Sequence, residues 1–337
     1  MRSPRFWWRK PGLGSTLLAP LAAIYGGIAG RRLAQAGADA GIPVICVGNP
    51  TVGGAGKTPT AIALARLLLA AGEKPAFLSR GYGGRLAGPV RVAPAHRAAE
   101  VGDEPLLLAR LAPTIVARDR VAGASLARDS GASVIVMDDG FQNPSLAKDF
   151  SILVIDGARG LGNGRVFPAG PLRAPLPAQL ARASAILVID SGPDVPGWPA
   201  APALPVFHGT LEPDAASVAS LRARPALAFA GIGDPEKFFI TLDRAGVETR
   251  LRRGFGDHHR YDSGDAANLV AEADRHGVAL VTTEKDLARL RADPAVAALA
   301  ARAQALPVAL RIAEADELRR AILAACRQRS YLNVKPA

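Results

Sequence analysis

The chain has 337 residues, long enough for a sizeable core and two domains, and its 49% hydrophobic and 21% charged content excludes a largely disordered protein. Cys46 and Cys326 are its only cysteines, so no disulfide framework or cysteine metal site is implied, and a reducing compartment is permitted. Its 41 Lys and Arg against 30 Asp and Glu leave a net charge of +11, yet there is no recognised nucleic-acid motif and aromatics are few, so no nucleic-acid partner is expected.

The excess positive charge is concentrated at the start. Arg2, Arg5, Arg9, Lys10, Arg31 and Arg32 precede the first acid, Asp39, and flank the stretch LGSTLLAPLAAIYGGIAG (13–30), with Phe6, Trp7 and Trp8 just before it. Leu17, Leu21, Ile24 and Ile28 recur at helical spacing. A bilayer span needs about 20 apolar residues, and this stretch falls short. Basic flanks and tryptophans instead predict, over residues 1–35, an amphipathic helix lying on an anionic membrane surface. A secretory signal has the same outline, but a nucleotide site soon afterwards argues against export. An ordinary helix packed on the domain is the other alternative.

Residues 43–60, PVICVGNPTVGGAGKTPT, come next. Val44, Ile45, Cys46 and Val47 read as a buried strand, which empties into a loop of Thr51, Val52, Gly53, Gly54, Ala55 and Gly56, followed by Lys57 and Thr58 and then a helical apolar pattern. This is the layout of a phosphate-binding loop. Glycines let backbone N–H groups turn onto an anion, the helix N-terminus adds its dipole, and the lysine reaches the terminal phosphates. The Thr58 hydroxyl would sit on Mg²⁺. Thr51 stands where the common pattern has glycine, so the match is by layout. SVIVMDDGFQ (133–142) is a second strand, ending in Asp138 and Asp139 where such proteins hold Mg²⁺.

Apolar runs alternate with helical stretches along the rest of the chain. Strands are expected at 43–47, 75–79, 114–117, 133–138, 151–155, 185–189, 226–231, 279–283 and 307–312, and helices at 59–71, 104–111, 119–129, 235–245, 264–276, 294–303 and 315–328. The pattern predicts an α/β fold, a phosphate-loop parallel-sheet domain over 36–205 and a second, smaller α/β domain over 225–330. The Pro-rich stretch 191–205 reads as a boundary, and 206–224 as a linker.

Several loops carry charge. SRGYGG (79–84) offers Arg80; VGDEP (101–105), Asp103 and Glu104; VARDR (116–120), Arg118 and Arg120; GPLRAP (170–175), Arg173; GDHHRYD (256–262), His258 and His259; and TTEKD (282–286) follows a strand. Read locally, Asp103 is a helix cap. The histidine pair has no further ligand at metal spacing, which favours a solvated loop or an acid–base role. Arg173, between prolines, is placed for anion contact. TTEKD resembles the guanine-reading element only loosely, so GTP specificity is unsupported.

Taken in order, TVGGAGKTPT, SRGYGG, VGDEP, DDGFQ, GPLR, DHHRY and TEKD resemble the motifs of the tetraacyldisaccharide 4′-kinase family, from the N-terminal helix to about residue 290. The resemblance implies ATP-dependent phosphorylation of the 4′-hydroxyl of an acylated glucosamine disaccharide 1-phosphate, giving lipid IVA in lipid A biosynthesis, at the cytoplasmic face of the inner membrane. It assigns Thr51 to Thr58 to ATP, Asp103 to the catalytic base with a histidine of the DHH segment, His258 rather than His259, as its partner, Asp138 and Asp139 to Mg²⁺, and Arg80, Arg118 and Arg173 to phosphate or sugar. With Lys57, the catalytic set is Asp103, His258 and Lys57. Two departures stand out: Ala174 replaces the family's usual Glu, and Asn143 stands where His is expected. The rival is a membrane-associated phosphate-loop ATPase that drives conformational change in a partner.

Overall fold

The computed structural model describes residues 4–190 and 204–334. Thirteen strands follow in chain order: β1 (Val44–Gly48), β2 (Pro75–Ser79), β3 (Val90–Arg91), β4 (Thr114–Val116), β5 (Val134–Asp138), β6 (Phe150–Asp156), β7 (Ala185–Ile189), β8 (Val206–Pro213), β9 (Ala226–Ala230), β10 (Thr249–Gly254), β11 (Ala279–Thr283), β12 (Ala303–Leu306) and β13 (Val308–Ile312). The α-helices are α1 (Leu13–Leu17), α2 (Ala19–Leu33), α3 (Lys57–Ala70), α4 (Ala98–Val101), α5 (Asp103–Leu108), α6 (Arg120–Asp129), α7 (Leu176–Leu180), α8 (Ala215–Leu221), α9 (Pro235–Arg244), α10 (Ser263–His276), α11 (Glu284–Arg291), α12 (Ala297–Arg302) and α13 (Ala315–Val334).

Nine strands form one sheet in the order β13-β8-β7-β6-β1-β5-β2-β4-β3, and four form a second, β10-β9-β11-β12. Every pairing is parallel except β13 with β8 and β3 with β4. Every residue of β1 and β5 is buried, because helices cover both faces of a parallel sheet and leave no strand position for polar residues. Ile45, Val47, Leu64, Leu68 and Phe77 share one apolar cluster, and Cys46, Leu78, Ile135 and Met137 another on the opposite face. Truncating Ile45 to Ala would cost about 2–5 kcal/mol, the usual range for a core aliphatic.

The domain boundaries differ from the sequence reading. Residues 206–224 are no linker: β8 pairs with β7 and β13 in the large sheet, and α8 follows it, capped by Asp214. Nor does the smaller domain run to 330. It closes after β12; β13 then returns to the edge of the large sheet, and Leu318, Ile322 and Cys326 of α13 pack with Leu64 and Leu68 of α3. The strand alternation of β8 is polar on one side, which disguises it in sequence, and its partner lies far along the chain. Most of the Pro-rich boundary, 191–203, lies outside the described residues.

At the N-terminus the single expected helix is a 3₁₀ turn at Arg5–Trp8 followed by α1 and α2, with Pro20 in the first turn of α2. Leu13, Leu17, Leu21, Ile24 and Ile28 are exposed on these helices, while Ala22, Gly26 and Leu33 face the protein. Trp7 corrects the headgroup reading: it is buried, its indole Nε1 donating to the Pro168 carbonyl at 3.0 Å. Among the described residues no helix is long and apolar enough to cross a membrane.

Candidate active site

The phosphate loop leaves β1 at the C-terminal edge of the large sheet. Gly56 caps α3 with φ +88°, and a Cβ there would come within 2.6 Å of Ile189 Cδ1, so both backbone and space demand glycine. The loop is braced from within. Buried Asn49 donates through Nδ2 to the carbonyls of Thr51 (2.6 Å) and Gly53 (3.0 Å), and its Oδ1 accepts from Lys57 Nζ at 3.1 Å. It is braced from outside by Arg173, whose Nε donates to Thr51 O at 2.9 Å and whose Nη1 meets Asp139 Oδ1 at 3.1 Å. Gln142 donates to Asn49 O, and buried Gln179 donates to Pro50 O and Ala174 O.

Parallel register sets Val47 beside Asp138, which delivers the β5 carboxylates to the loop. The two aspartates differ. Asp139, at φ +55°, lies between Lys57 (3.7 Å) and Arg173; burial would raise its pKa, but these cations outweigh it and hold it low. Asp138 is buried; its Oδ2 accepts the Thr58 hydroxyl at 3.0 Å, while Oδ1 has no hydrogen-bond partner. Burial, then Glu104 and Asp139, push its pKa up to about 7. A buried carboxylate oxygen with free lone pairs beside a hydroxyl fits a hard divalent cation better than the cation-bracketed Asp139 does. Burial pulls the Lys57 ammonium down from its ordinary value, Asp139 opposes this and Arg173 adds to it.

The second half of the site joins α5, from the large-sheet domain, to a loop and α11 of the smaller domain. Asp103 is not the helix cap expected from local reading: Gly102, at φ +93°, caps α5, and Asp103 is its first residue. The Asp103 carboxylate is buried, with Oδ2 at 3.3 Å from His258 Nδ1 and 3.2 Å from Arg289 Nε, and Oδ1 accepting from Glu104 N. Burial alone would raise its pKa, but His258, Lys285 and Arg289 overcome that and bring it down to about 2. His258 is raised by the same pairing, and its ring lies against Tyr82 at 4.9 Å. His259 is used otherwise. It stacks on Phe255 and its Nε2 meets Asp265 at 2.7 Å, which makes it a brace of its loop. Lys285 Nζ meets Glu104 at 2.5 Å across the domains. Glu104 acts electrostatically on both Lys57 and Asp138, so the start of α5 stands at the mouth of the phosphate loop.

Arg80 and Arg118 are exposed just beyond the ends of the neighbouring parallel strands β2 and β4. Ala174 is buried among apolar side chains, and Asn143 closes a turn by accepting from Ser145. Asn49 and Gln142 lay inside the quoted motifs without being singled out. Arg120, a loop charge in the sequence, is buried, and its guanidinium donates to the Ala117 carbonyl. Nothing in the sequence flagged Arg289, a helix arginine like any other.

A parallel sheet whose glycine loop faces a strand-end carboxylate pair, with a buried carboxylate held by a histidine and an arginine on a neighbouring helix, defines a phosphate-loop phosphotransferase. A sequence model of the family described as tetraacyldisaccharide-1-P 4′-kinase matches residues 14–327. A tetraacyldisaccharide 4′-kinase of Rhodopseudomonas palustris (strain BisB18) is 59% identical over 95% of this chain and 94% of its own, and one of Methylobacterium sp. (strain 4-46) is 60% identical over 96% and 98%. The crystal structure of "apo" form LpxK from Aquifex aeolicus in complex with ATP superposes with a TM-score of 0.74 at 27% identity, covering 93% of this chain and all of that one. The chain belongs to the tetraacyldisaccharide 4′-kinase family and is a kinase of lipid A biosynthesis. This sets aside the ATPase alternative.

Proposed function

We propose that the enzyme moves the γ-phosphoryl group of ATP onto the 4′-hydroxyl of a tetraacylated glucosamine disaccharide 1-phosphate, yielding lipid IVA, with the work divided between the two halves of the site. The backbone of Thr51 to Thr58 cradles the phosphates, and Lys57 neutralises charge on the transferring group. Thr58 and Asp138 would hold Mg²⁺, which when bound offsets negative charge on the phosphates. Asp139 keeps Lys57 and Arg173 aligned, and Arg80 and Arg118 reach substrate phosphate or sugar from the exposed rim.

The 4′-oxygen attacks phosphorus as the bond to the bridging oxygen of ADP breaks, and its proton passes to Asp103. A carboxylate held near a pKa of about 2 is a weak base but is always ionised at working pH. That suffices, because in a loose phosphoryl-transfer transition state the nucleophile loses its proton late. His258 holds the carboxylate and takes up part of its charge. The observation that carries this reading is that α5 presents two adjacent carboxylates, Asp103 held by His258 and Arg289, and Glu104 acting electrostatically on Lys57 and Asp138 of the phosphate loop. Incubation with ATP and the tetraacyldisaccharide 1-phosphate tests it: the doubly phosphorylated lipid should accumulate with one ADP per product, and ATP turnover indifferent to the lipid would overturn it.

A membrane-surface location is supported by the exposed row Leu13, Leu17, Leu21, Ile24 and Ile28, with Arg5, Arg9, Lys10, Arg31 and Arg32 also exposed nearby. Because Trp7 is packed into the protein, deleting the segment would confuse stability with binding. Replacing Leu17, Leu21, Ile24 and Ile28 by Ser is cleaner. Binding to anionic vesicles should fall while the melting temperature holds; unchanged co-sedimentation would rule the location out.

A further inference from the structure

Beyond the contact of Lys285 with Glu104, the TTEKD element anchors a buried ion network. Thr283 caps α11 by accepting from Asp286 N. One turn on, Arg289 projects towards α5 with its side chain only 9% exposed. Its guanidinium pairs with two carboxylates and bonds carbonyls around them: Nε lies 3.2 Å from Asp103 Oδ2 and donates to the Lys285 carbonyl at 3.4 Å, Nη1 donates to the His259 carbonyl at 2.8 Å, and Nη2 donates to the Gly231 carbonyl at 2.9 Å and lies 3.0 Å from Asp286 Oδ1. Asp286 is fully buried and satisfied independently by Gly231 N, Tyr261 OH and Thr283 Oγ1, so it is a fixed post for the arginine.

The loop that Arg289 grips carries His258, a non-glycine residue at φ +53°. Such a conformation persists only where neighbours over-determine it. Here the next residue is pinned three ways: His259 N donates to Gly256 O, its ring meets Asp265, and its carbonyl accepts from Arg289.

We infer that Arg289 is a positioning residue for phosphoryl transfer, a single guanidinium that spans the two sheets and fixes the Asp103 carboxylate and the His258 loop relative to each other. The inference rests on Asp103 as the proton acceptor. Lysine could not substitute, because a point charge cannot bond the His259 and Gly231 carbonyls while standing against the Asp103 and Asp286 carboxylates. Asp103 is faced by His258 from the loop, by Arg289 and Lys285 from α11, and by Glu104 from its own helix. Removing Arg289 strips one of the three cations that oppose its burial.

The test uses the full-length enzyme with ATP and lipid substrate. Arg289→Lys should lower kcat by about 10-fold, since the charge stays but the fork is lost. The double variant Asp286→Asn/Arg289→Gln removes the buried charges as a pair to spare the fold and should lower kcat by about 10–100-fold, the scale of a small misplacement of reacting groups. KM for ATP should stay within a few-fold in both. The acidic limb of the kcat/KM profile should move upward in the double variant and stay in place in Arg289→Lys. A lower melting temperature with kcat and the acidic limb unmoved would overturn the inference and leave Arg289 a structural residue. If the double variant fails to fold, Arg289→Lys decides: kcat within 2-fold of the parent overturns the role, and the expected loss supports it. Asp103→Asn separates the two layers. Normal turnover in that variant removes the proton-acceptor reading and this inference with it; lost turnover alongside unaffected Arg289 variants removes only the role of Arg289.

Discussion

The phosphate loop is framed within one domain, by its own segment, the neighbouring strand β5 and the braces Gln142, Arg173 and Gln179. Asn49 ties Thr51, Gly53 and Lys57 together within a few residues, and β1–β5 register brings Asp138 alongside. The Asp103–His258 junction has no such local frame. Its carboxylate starts a short helix on one domain, its histidine sits in a strained loop on the other, and the contacts that join them, Asp103–His258, Asp103–Arg289 and Glu104–Lys285, all cross between domains. The first half of the site is therefore rigid by construction. The second is complete only while the two domains stay docked, so changes there should alter chemistry while ATP binding survives.

The largest effect should come from the locally framed half. Lys57→Ala should cut kcat by about 10³-fold or more, since a cation on the transferring group is lost from a largely water-excluded site. Asp139 keeps Arg173 as a partner, so the fold should hold. Steady-state kinetics within a few-fold of the parent would break the assignment of the loop. Asp103→Asn, in the cross-domain half, should lower kcat by about 10²–10⁴-fold with ATP affinity little changed. If ATP affinity collapsed as well, the two halves would not be separable as described.

Smaller effects sharpen the contrast within the β5 carboxylates. Asp138→Asn should raise the Mg²⁺ concentration for half-maximal rate well above the parent's. Asp139→Asn should mainly weaken ATP binding, through misaligned Lys57 and Arg173, and shift the Mg²⁺ requirement less. Equal magnesium shifts in a titration would erase the distinction between the two.

The smallest effect concerns stability across the domain junction. His258 has its pKa raised above 6.5 in the folded protein, chiefly by Asp103. The stability it contributes is therefore full below that value and is lost as pH rises through the higher folded value. The difference in unfolding free energy between the parent and His258→Gln should be largest near pH 6 and shrink on going above neutrality. A difference that grew with pH would mean the histidine is not held as a cation by Asp103. The Asp103 contribution has the opposite sense, being present above 3.8 and lost as pH falls towards about 2.

What the sequence by itself determined follows from contiguity. The glycine loop between a buried strand and a helix, the carboxylates at the tip of β5 and the exposed leucine–isoleucine row are legible because strand, loop and helix impose short periodicities that a single segment carries alone. The family motifs added the pairing of Asp103 with a DHH histidine, which local reading had assigned to a helix cap. Only the tertiary structure decided the rest. It gave β8 and β13 to the large sheet, because an antiparallel edge pair is specified by a partner distant in sequence. It separated Asp138 from Asp139 by which one the cations reach. It showed the different carboxylate each histidine of the pair meets, Asp103 for His258 and Asp265 for His259. Arg289 emerged only there, because the partners that give an arginine its role are carbonyls and carboxylates contributed by other elements, and no pattern in its own helix encodes them.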